Sequence, residues 1–507
     1  MKIWAGLFCL IAFDAGADPV FRDRAEGLPV AHVYGGGWEH FVGGGVAVLD
    51  CNADRRPDLF AAGGENPARL FINATKEAGG DIRFASGEIE TLTGVTGAYP
   101  LDINGDGLLD LAVLRVGQDR LLRGSGDCRF EDMTDAWGLA TRDAWTTAFT
   151  ATWEPGQTWP TLVFGHYVDR ADPEGPFEAC DTSDLYRPVA QGYGAAEIIA
   201  PGFCALSMLI TDWQRNGEPE LRISNDRHYY IRGGYEQMFR LRPLRERTED
   251  WPKVSLWGMG IASQDITGDG LPEVMMTSMG DQLMQLNTGT GFVNAPFSIG
   301  TYAQRPHIGD DGRPSTGWHA EFSDIDNDGL SDLFIAKGNV DQMPSNAMKD
   351  PNNLLMAQPD GTFIERAETA GVATTERSRG AALADLNGDG RLDIVVVNRR
   401  APMEIWQNET QDTGHWAEIE THDAANTFAI GAWLELRSGG VTQSREITVG
   451  GGHAGGKAGP VHFGLGRETE AEVRVIWPDG ALSGWVAIPT DRQSILRRNG
   501  DGLMVEP

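Results

Sequence analysis

The sequence predicts an all-β chain: a seven-bladed β-propeller with cation-binding turns, followed by a small β-sandwich-like domain. Three observations predict it. An acidic nine-residue motif recurs at a near-constant period, each copy stands between two short apolar runs of strand length, and the period stops after Asn408.

The motif reads DCNADRRPD from Asp50, DINGDGLLD from Asp102, DITGDGLPE from Asp265, DIDNDGLSD from Asp324 and DLNGDGRLD from Asp385. A degenerate copy, DWQRNGEPE, starts at Asp212. Between 102 and 212, WTTAFTATWEPGQTWPTLVFGHY aligns with VTGAYPLDINGDGLLDLAVLRV if Trp153 takes the place of Asp102 and Thr161 that of Asp110. Starts at 50, 102, 153, 212, 265, 324 and 385 lie 51 to 61 residues apart. Units of that length, each with several short strands, read as propeller blades rather than as a helical solenoid.

Within the motif, oxygen-bearing side chains stand at the first, third, fifth and ninth places, and glycine at the sixth supplies a sharp bend. The seventh residue offers only its backbone carbonyl. This is the ligand spacing of a calcium loop, here without flanking helices. The candidate ligands are Asp50, Asn52, Asp54 and Asp58 in the first copy and Asp102, Asn104, Asp106, Leu108 and Asp110 in the second. The later copies supply Asp265, Thr267, Asp269, Leu271 and Glu273; Asp324, Asp326, Asp328, Leu330 and Asp332; and Asp385, Asn387, Asp389, Arg391 and Asp393. Asp212, Gln214, Asn216 and Glu220 form a weaker set. About five Ca²⁺ sites follow, and a hard cation at such a turn holds together carboxylates that otherwise repel one another. The close carboxylate pairs therefore read as ligands rather than as general acids and bases.

Around each loop the order of signals repeats. A small, glycine-rich strand (VGGGVAVLD, GMGIASQD, RGAALADL) precedes it and an aliphatic strand (LAVLRV, LFIAKG, IVVVNR) follows it. A third strand and a phrase such as FEDMTDAWGL or FIERAETAGV come next, giving four strands per unit. The phrase FRDRAEGL at 21–28 matches that last element but precedes the first loop, whereas the last unit lacks one. The N-terminal strand is therefore expected to complete the last blade and close the ring, removing open sheet edges.

The repeated D-x-[DN]-x-D-G-x-x-D loops resemble FG-GAP or VCBS repeats, the blades of integrin α-chain-type propellers, over about residues 20 to 410. The chain departs from that pattern at Trp153, where the ligand set is lost, and at Arg55, where the glycine is replaced. Beyond Asn408, the stretches AIGAWLELRSGG, REITVGGGHAGG, VHFGLG and VRVIWPDG stand in the order of an ASPIC/UnbV domain, which they resemble closely. Together the two parts resemble the cartilage acidic protein-like family. That resemblance implies a secreted calcium-binding protein linked to cell adhesion or extracellular interaction. The expected divisions are a signal peptide over 1–17, the propeller over 18–410 and the ASPIC/UnbV-like β domain over 411–507.

The first 17 residues, MKIWAGLFCLIAFDAGA, pair a lysine with an apolar stretch and an A-x-A ending, the pattern of a secretory leader cleaved before Asp18. Secreted or periplasmic localisation is expected, and no later run is apolar enough to span a membrane. The formal net charge of -31 disfavours nucleic acid and anionic membranes as partners. Four cysteines remain after the leader, and three pairings are possible. Cys180 with Cys204 closes a local loop and leaves Cys51 with Cys128; buried free thiols are the alternative reading.

Several tempting motifs read better as structure. GGHAGGKA at 451–458 nearly matches a phosphate loop but lacks its hydroxyl at Ala458 and any βαβ context, so a glycine-rich hairpin is expected. SNDRHYY at 224–230 reads as an inter-blade hydrogen-bond network, with a ligand pocket as the alternative. His40 and His319, placed in or near inner strands, read as packing histidines. Asn73 and Asn408 stand in N-x-T sequons, acceptors only in a host that glycosylates exported proteins. The function expected is an extracellular interaction module whose partner is a protein or polysaccharide. The alternative is a propeller-scaffold enzyme of lyase or hydrolase type, its pocket at the channel mouth near His319 or His228.

Overall fold

The computed structural model describes residues 16–226, 233–248, 251–302, 312–424, 426–500 and 502–506. Nearly all of the expected leader, and the last four residues of SNDRHYY including His228, lie outside them. The described residues are almost entirely β, with one short α-helix at Ala367–Ala370.

Each repeat unit is an antiparallel four-strand meander. The first strands are Val46–Leu49, Val95–Leu101, Ala144–Thr152, Ala205–Thr211, Gly258–Gln264, Gly317–Ser323 and Ser378–Ala384. The acidic motif turns the chain, and its ninth residue opens the second strand, as in Asp58–Ala61, Asp110–Gly117, Glu273–Ser278, Asp332–Lys337 and Asp393–Asn398. The second and third units join into one eight-stranded sheet through Ala144 opposite Gly117 and Trp145 opposite Val116. Phe21–Asp23 pairs antiparallel with Glu404–Asn408, so the beginning and end of the repeat region share one sheet. The first strands lie side by side in chain order, and Ser378–Ala384 returns to Val46–Leu49. Aliphatic and aromatic side chains such as Leu59, Phe60, Leu111 and Val395 fill the space between neighbouring sheets.

Residues after Asn408 form two further four-stranded sheets. His415–His422 pairs in parallel with Arg492–Asn499, and Trp433–Ser438 lies between Val441–Glu446 and Ala471–Ile476. Leu434, Phe463, Val473, Val475 and Trp477 are buried in the core that these strands enclose.

The segment between Glu446 and Val461 runs along the innermost strands. Bridges join Val449 to Ala151, Gly450 to Leu209, Gly452 to Ile261, Gly455 to Ala98 and Lys457 to Val48. The Gly451 N–H donates to Met208 O (2.7 Å), the Gly452 N–H to Ile261 O (2.7 Å) and the Val48 N–H to Gly456 O (3.0 Å). GGHAGGKA is thus no free hairpin: its backbone fills the middle of the ring. This explains why the first strands are so small. A Cβ on Gly45 or Gly97 would lie 1.8 Å from Ala454 O, and one on Gly455 would lie 2.3 Å from Val46 O. His453 at the loop's tip is fully buried, with Nε2 accepting the Gly43 N–H (3.2 Å) and its ring 5.0 Å from that of Trp318.

Both expected disulfides are present, Cys51–Cys128 between the first two units and Cys180–Cys204 between the third and fourth.

Replacing Gly97 by Val should lower stability by about 2–3 kcal/mol, because the added atoms meet a backbone carbonyl that cannot retreat. Urea unfolding checks this; an unchanged midpoint would contradict the packing described.

Candidate metal centres

In each intact loop the first carboxylate gathers backbone N–H groups and so builds the turn. Asp102 Oδ1 accepts from Gly105 (2.8 Å) and Oδ2 from Gly107 (2.8 Å). Asp385 accepts from Gly388 (2.7 Å) and Gly390 (2.6 Å), and Asp265 from Gly268 (2.8 Å) and Gly270 (3.0 Å). The sixth residue takes a left-handed conformation, with φ of 86° at Gly107 and 94° at Gly329. Arg55 adopts the same conformation at 63°, so the first loop keeps its shape without glycine.

The ninth carboxylate has a second task. Asp110 accepts the Ile103 N–H and the Gly124 N–H (both 2.8 Å), tying the loop to the third strand. Asp58, Glu273, Asp332 and Asp393 make the same two kinds of bond. All five are buried, at no more than 2% exposure. Burial pushes the Asp58 and Glu273 carboxyls up to about 7 and Asp110 to about 8, and lifts Asp332 and Asp393 well above the usual carboxylate range.

The third-place oxygens show what is missing from such a site. Asp326 Oδ1 and Asn387 Oδ1 are buried with no hydrogen-bond donor. Asp324, Asp326 and Asp332 each offer an oxygen within 4.8 Å of the others. A donor set made only of carboxylate, amide, hydroxyl and backbone oxygens, with orphaned acceptors among them, fits a hard divalent cation such as Ca²⁺.

The two eroded copies differ from these at the ninth place. In the fourth, Asp212 still gathers the Asn216 and Gly217 N–H groups, but Glu220 accepts from Arg247 Nη1 (2.9 Å) and from the Trp213 indole N–H (2.7 Å). In the third, beside Trp153, buried Glu154 accepts from Thr161 Oγ1 (2.6 Å) and Arg187 Nε (2.7 Å), and is also bonded by Arg242. In the fourth copy the guanidinium stands against the ninth-place carboxylate; in the third the ninth place is Thr161 and the guanidiniums meet Glu154 at the second place. The weaker set of Asp212, Gln214, Asn216 and Glu220 is therefore already neutralised at its ninth place.

Three asparagines emerge that sequence reading assigned otherwise or passed over. Asn73 Nδ2 donates to Pro57 O (3.0 Å) of its own loop and to Leu386 O (2.8 Å) of the last unit's loop. Asn408 Nδ2 reaches Leu392 O (3.2 Å) and Ile325 O (3.0 Å), and Asn287 Nδ2 reaches Pro272 O (3.1 Å) and Trp213 O (2.8 Å). Each clasps its own loop to that of the preceding unit. This corrects the sequon reading: Asn73 and Asn408 are buried structural donors, not accessible glycan acceptors.

His319 is also accounted for. It is 4% exposed, its Nδ1 accepts the His453 N–H (3.1 Å), and Nε2 lies 3.4 Å from Glu321 Oε2. Lys457 pairs with the same Glu321; burial alone would raise that carboxyl, but Lys457, then His319, hold it at about 2. His40 lies on a 3₁₀ turn, Trp38–His40, rather than on a strand. Of SNDRHYY, Asn225 hydrogen-bonds Tyr235 O (2.8 Å) and Asp226 accepts from Tyr167 (2.6 Å). A cavity of about 1270 Å³ lies between the loop face and the C-terminal sheets, lined among others by Asp102, Glu321, Glu418, Lys457 and His462.

Fold and loops together define a propeller-like repeat chain with FG-GAP-like repeats and a C-terminal ASPIC and UnbV domain. Residues 50–113 and 324–396 match the FG-GAP-like repeat, and residues 422–501 match ASPIC and UnbV. The chain is 25% identical to cartilage acidic protein 1 of Mus musculus over 180 residues, 34% of this chain and 27% of that protein. It is 25% identical to the Homo sapiens protein of that name over 166 residues, 32% of this chain and 24% of that one. The chain thus spans about a quarter of the length of the curated relatives it matches. Among solved structures, BBS1N in its complex with ARL6DN is similar at a TM-score of 0.47 and 9% identity, over 79% of this chain and 99% of that one.

The raised carboxyls fix the sign of a pH dependence. Without metal, the folded chain holds protons that the unfolded chain has released, so this contribution is full below about pH 4 and is lost as pH rises through the folded values near 7 to 8. In chelator, the melting temperature should fall between pH 5 and 8.5, and saturating calcium should abolish the fall. A metal-free melting temperature that rises over this range would contradict the assignment. Separately, Asn408→Ala leaves two buried carbonyls without their donor and should cost about 1–3 kcal/mol in urea unfolding; a cost near zero would remove the clasp.

Proposed function

We propose that this chain is an exported, calcium-binding β-propeller of seven blades that acts as an extracellular interaction module, with calcium mainly structural. One observation carries the calcium part. The ninth-place carboxylates of the five intact loops are buried on backbone donors alone, whereas the fourth copy holds a guanidinium against its ninth-place Glu220 and the third replaces that carboxylate by Thr161. Loops of this type bind calcium at about 10⁻⁴ to 10⁻³ M outside cells, so they fill after export and stay empty in the cytosol. Two disulfides agree with an oxidising compartment. An extracellular role also agrees with the likeness to cartilage acidic protein 1.

The partner is an extracellular protein or polysaccharide, and it meets the outer surfaces of the blades and domain. The chain's own glycine loop occupies the middle of the ring, and His319 lies beneath Gly452 and His453. His319 borders the cavity beneath the C-terminal sheets, but its Nδ1 is taken by the His453 N–H and its Nε2 faces Glu321, which argues against the enzyme reading there. In surface-binding assays against immobilised envelope or matrix polysaccharides and proteins, the calcium-loaded chain should bind saturably, at least tenfold more weakly in chelator, and without consuming its partner. Turnover that is lost in His319→Ala would overturn this reading in favour of catalysis.

A further inference from the structure

The five intact loops are not equivalent in their exposure. Asp54, Asp106 and Asp269, the fifth-place ligands of the first, second and fifth units, face solvent. In the sixth and seventh units the fifth-place Asp328 and Asp389 are half-buried and the third-place Asp326 and Asn387 are 2% and 3% exposed. Asn387 is covered by Gly79 and Gly80 of the first unit, whereas Asp326 and its neighbour Asn327, 1% exposed, lie under another part of the chain.

The C-terminal domain provides the cover. The Gly414 N–H donates to Asp326 O (2.9 Å) and the Gly466 N–H to Asn327 O (2.8 Å). Asn327 Nδ2 donates to Gly390 O (2.9 Å), which leaves its Oδ1 to accept from His462 Nε2 (2.7 Å). Gly464 passes so close that a Cβ there would lie 1.9 Å from Asp324 Oδ2 and 2.6 Å from Asn327 Cα. From another side, Gly16 lies against Asp326 and Asp328, and the Ala17 backbone N–H bonds Asp326. Cleavage before Asp18 removes those two residues and leaves the C-terminal domain as the remaining cover. Beneath it, Asp326 Oδ1 is without a donor inside the three-carboxylate cluster.

We propose that the Asp324–Asp332 loop is an interdomain calcium latch: its ion lies under the C-terminal domain, enters faster before that domain seats, and leaves faster once the domain lifts. The inference rests on reading the motif as a calcium loop and adds to it a difference in kinetics. The physical reason is access. A calcium ion in an exposed loop exchanges its remaining ligands with water directly, whereas one under Gly464 and His462 meets water only past the half-buried Asp328, a path that widens when the backbone bonds at Asp326 and Asn327 open. Those bonds also favour the loop conformation that the ion requires, so ion and domain reinforce each other.

The test is exchange of ⁴⁵Ca²⁺ from the loaded full-length mature chain into excess unlabelled calcium. One ion per chain should leave at least tenfold more slowly than the rest. Asp326→Ala should lose that slow ion and keep the fast ones, and His462→Ala, which removes the side-chain bond to Asn327, should speed release of the slow ion with little change in the total bound. Single-phase fast release of several ions would overturn the latch while leaving the calcium reading intact. Absence of bound calcium would overturn the underlying reading instead. If His462→Ala does not fold, Asp326→Ala decides alone: a slow ion that persists in it contradicts the proposal.

Discussion

The structure depends on burying carboxylates at a repeated turn. Asp58, Asp110, Glu273, Asp332 and Asp393 each brace the first two strands of a unit against the third, and each does so from a site almost without solvent. Backbone N–H groups satisfy their hydrogen-bonding capacity but supply no countercharge, so burial drives them toward the neutral acid. A bound divalent cation would supply that countercharge. The fourth unit meets the same need with Arg247 against Glu220, and the third removes it, with Thr161 at the ninth place and Arg187 and Arg242 turned to Glu154 instead. Among the described residues of the intact loops the countercharge has no such protein source at the ninth place, and that is what the calcium proposal rests on.

The second constraint is steric. Gly45, Gly97, Gly260 and Gly380 line the innermost strands because another backbone lies against them. Main-chain bonds from Val449 to Ala458 link the C-terminal domain to five of the innermost strands, and Lys457 adds an ion pair to Glu321. Arg445 and Glu446, which lead into that loop, contact the turns as well: Arg445 Nη2 donates to Ser331 Oγ (3.1 Å) and Glu446 Oε1 accepts the Asp212 N–H (2.8 Å). Folding of the C-terminal domain and completion of the ring are therefore one cooperative problem.

These facts divide what could be read from the chain from what could not. The turns were legible because their chemistry is local: nine residues carry ligand spacing, bend and flanking strand pattern together. The pairing Cys180–Cys204 was legible for the same reason, and Cys51–Cys128 followed from it. The destination of GGHAGGKA was not, since Gly452 and Ile261 are far apart in sequence and nothing near either announces the other. The small inner strands did carry a signal, a run of glycines with no turn to explain them, whose cause lay elsewhere in the chain. Asn73 and Asn408 were obscured because the threonine two places on spells a sequon; in the structure its backbone N–H donates to the asparagine Oδ1. The guanidiniums of the eroded units could not be foreseen, because Arg187, Arg242 and Arg247 occupy no fixed place relative to the motif.

The claim on which the rest stands is that the loops hold calcium and that calcium holds the ring. The most direct test is to melt the mature chain across a calcium titration while counting bound metal by elemental analysis. The account predicts a large rise in melting temperature that saturates with about five calcium ions per chain. A melting temperature indifferent to calcium, or a different metal retained in its place, would contradict it.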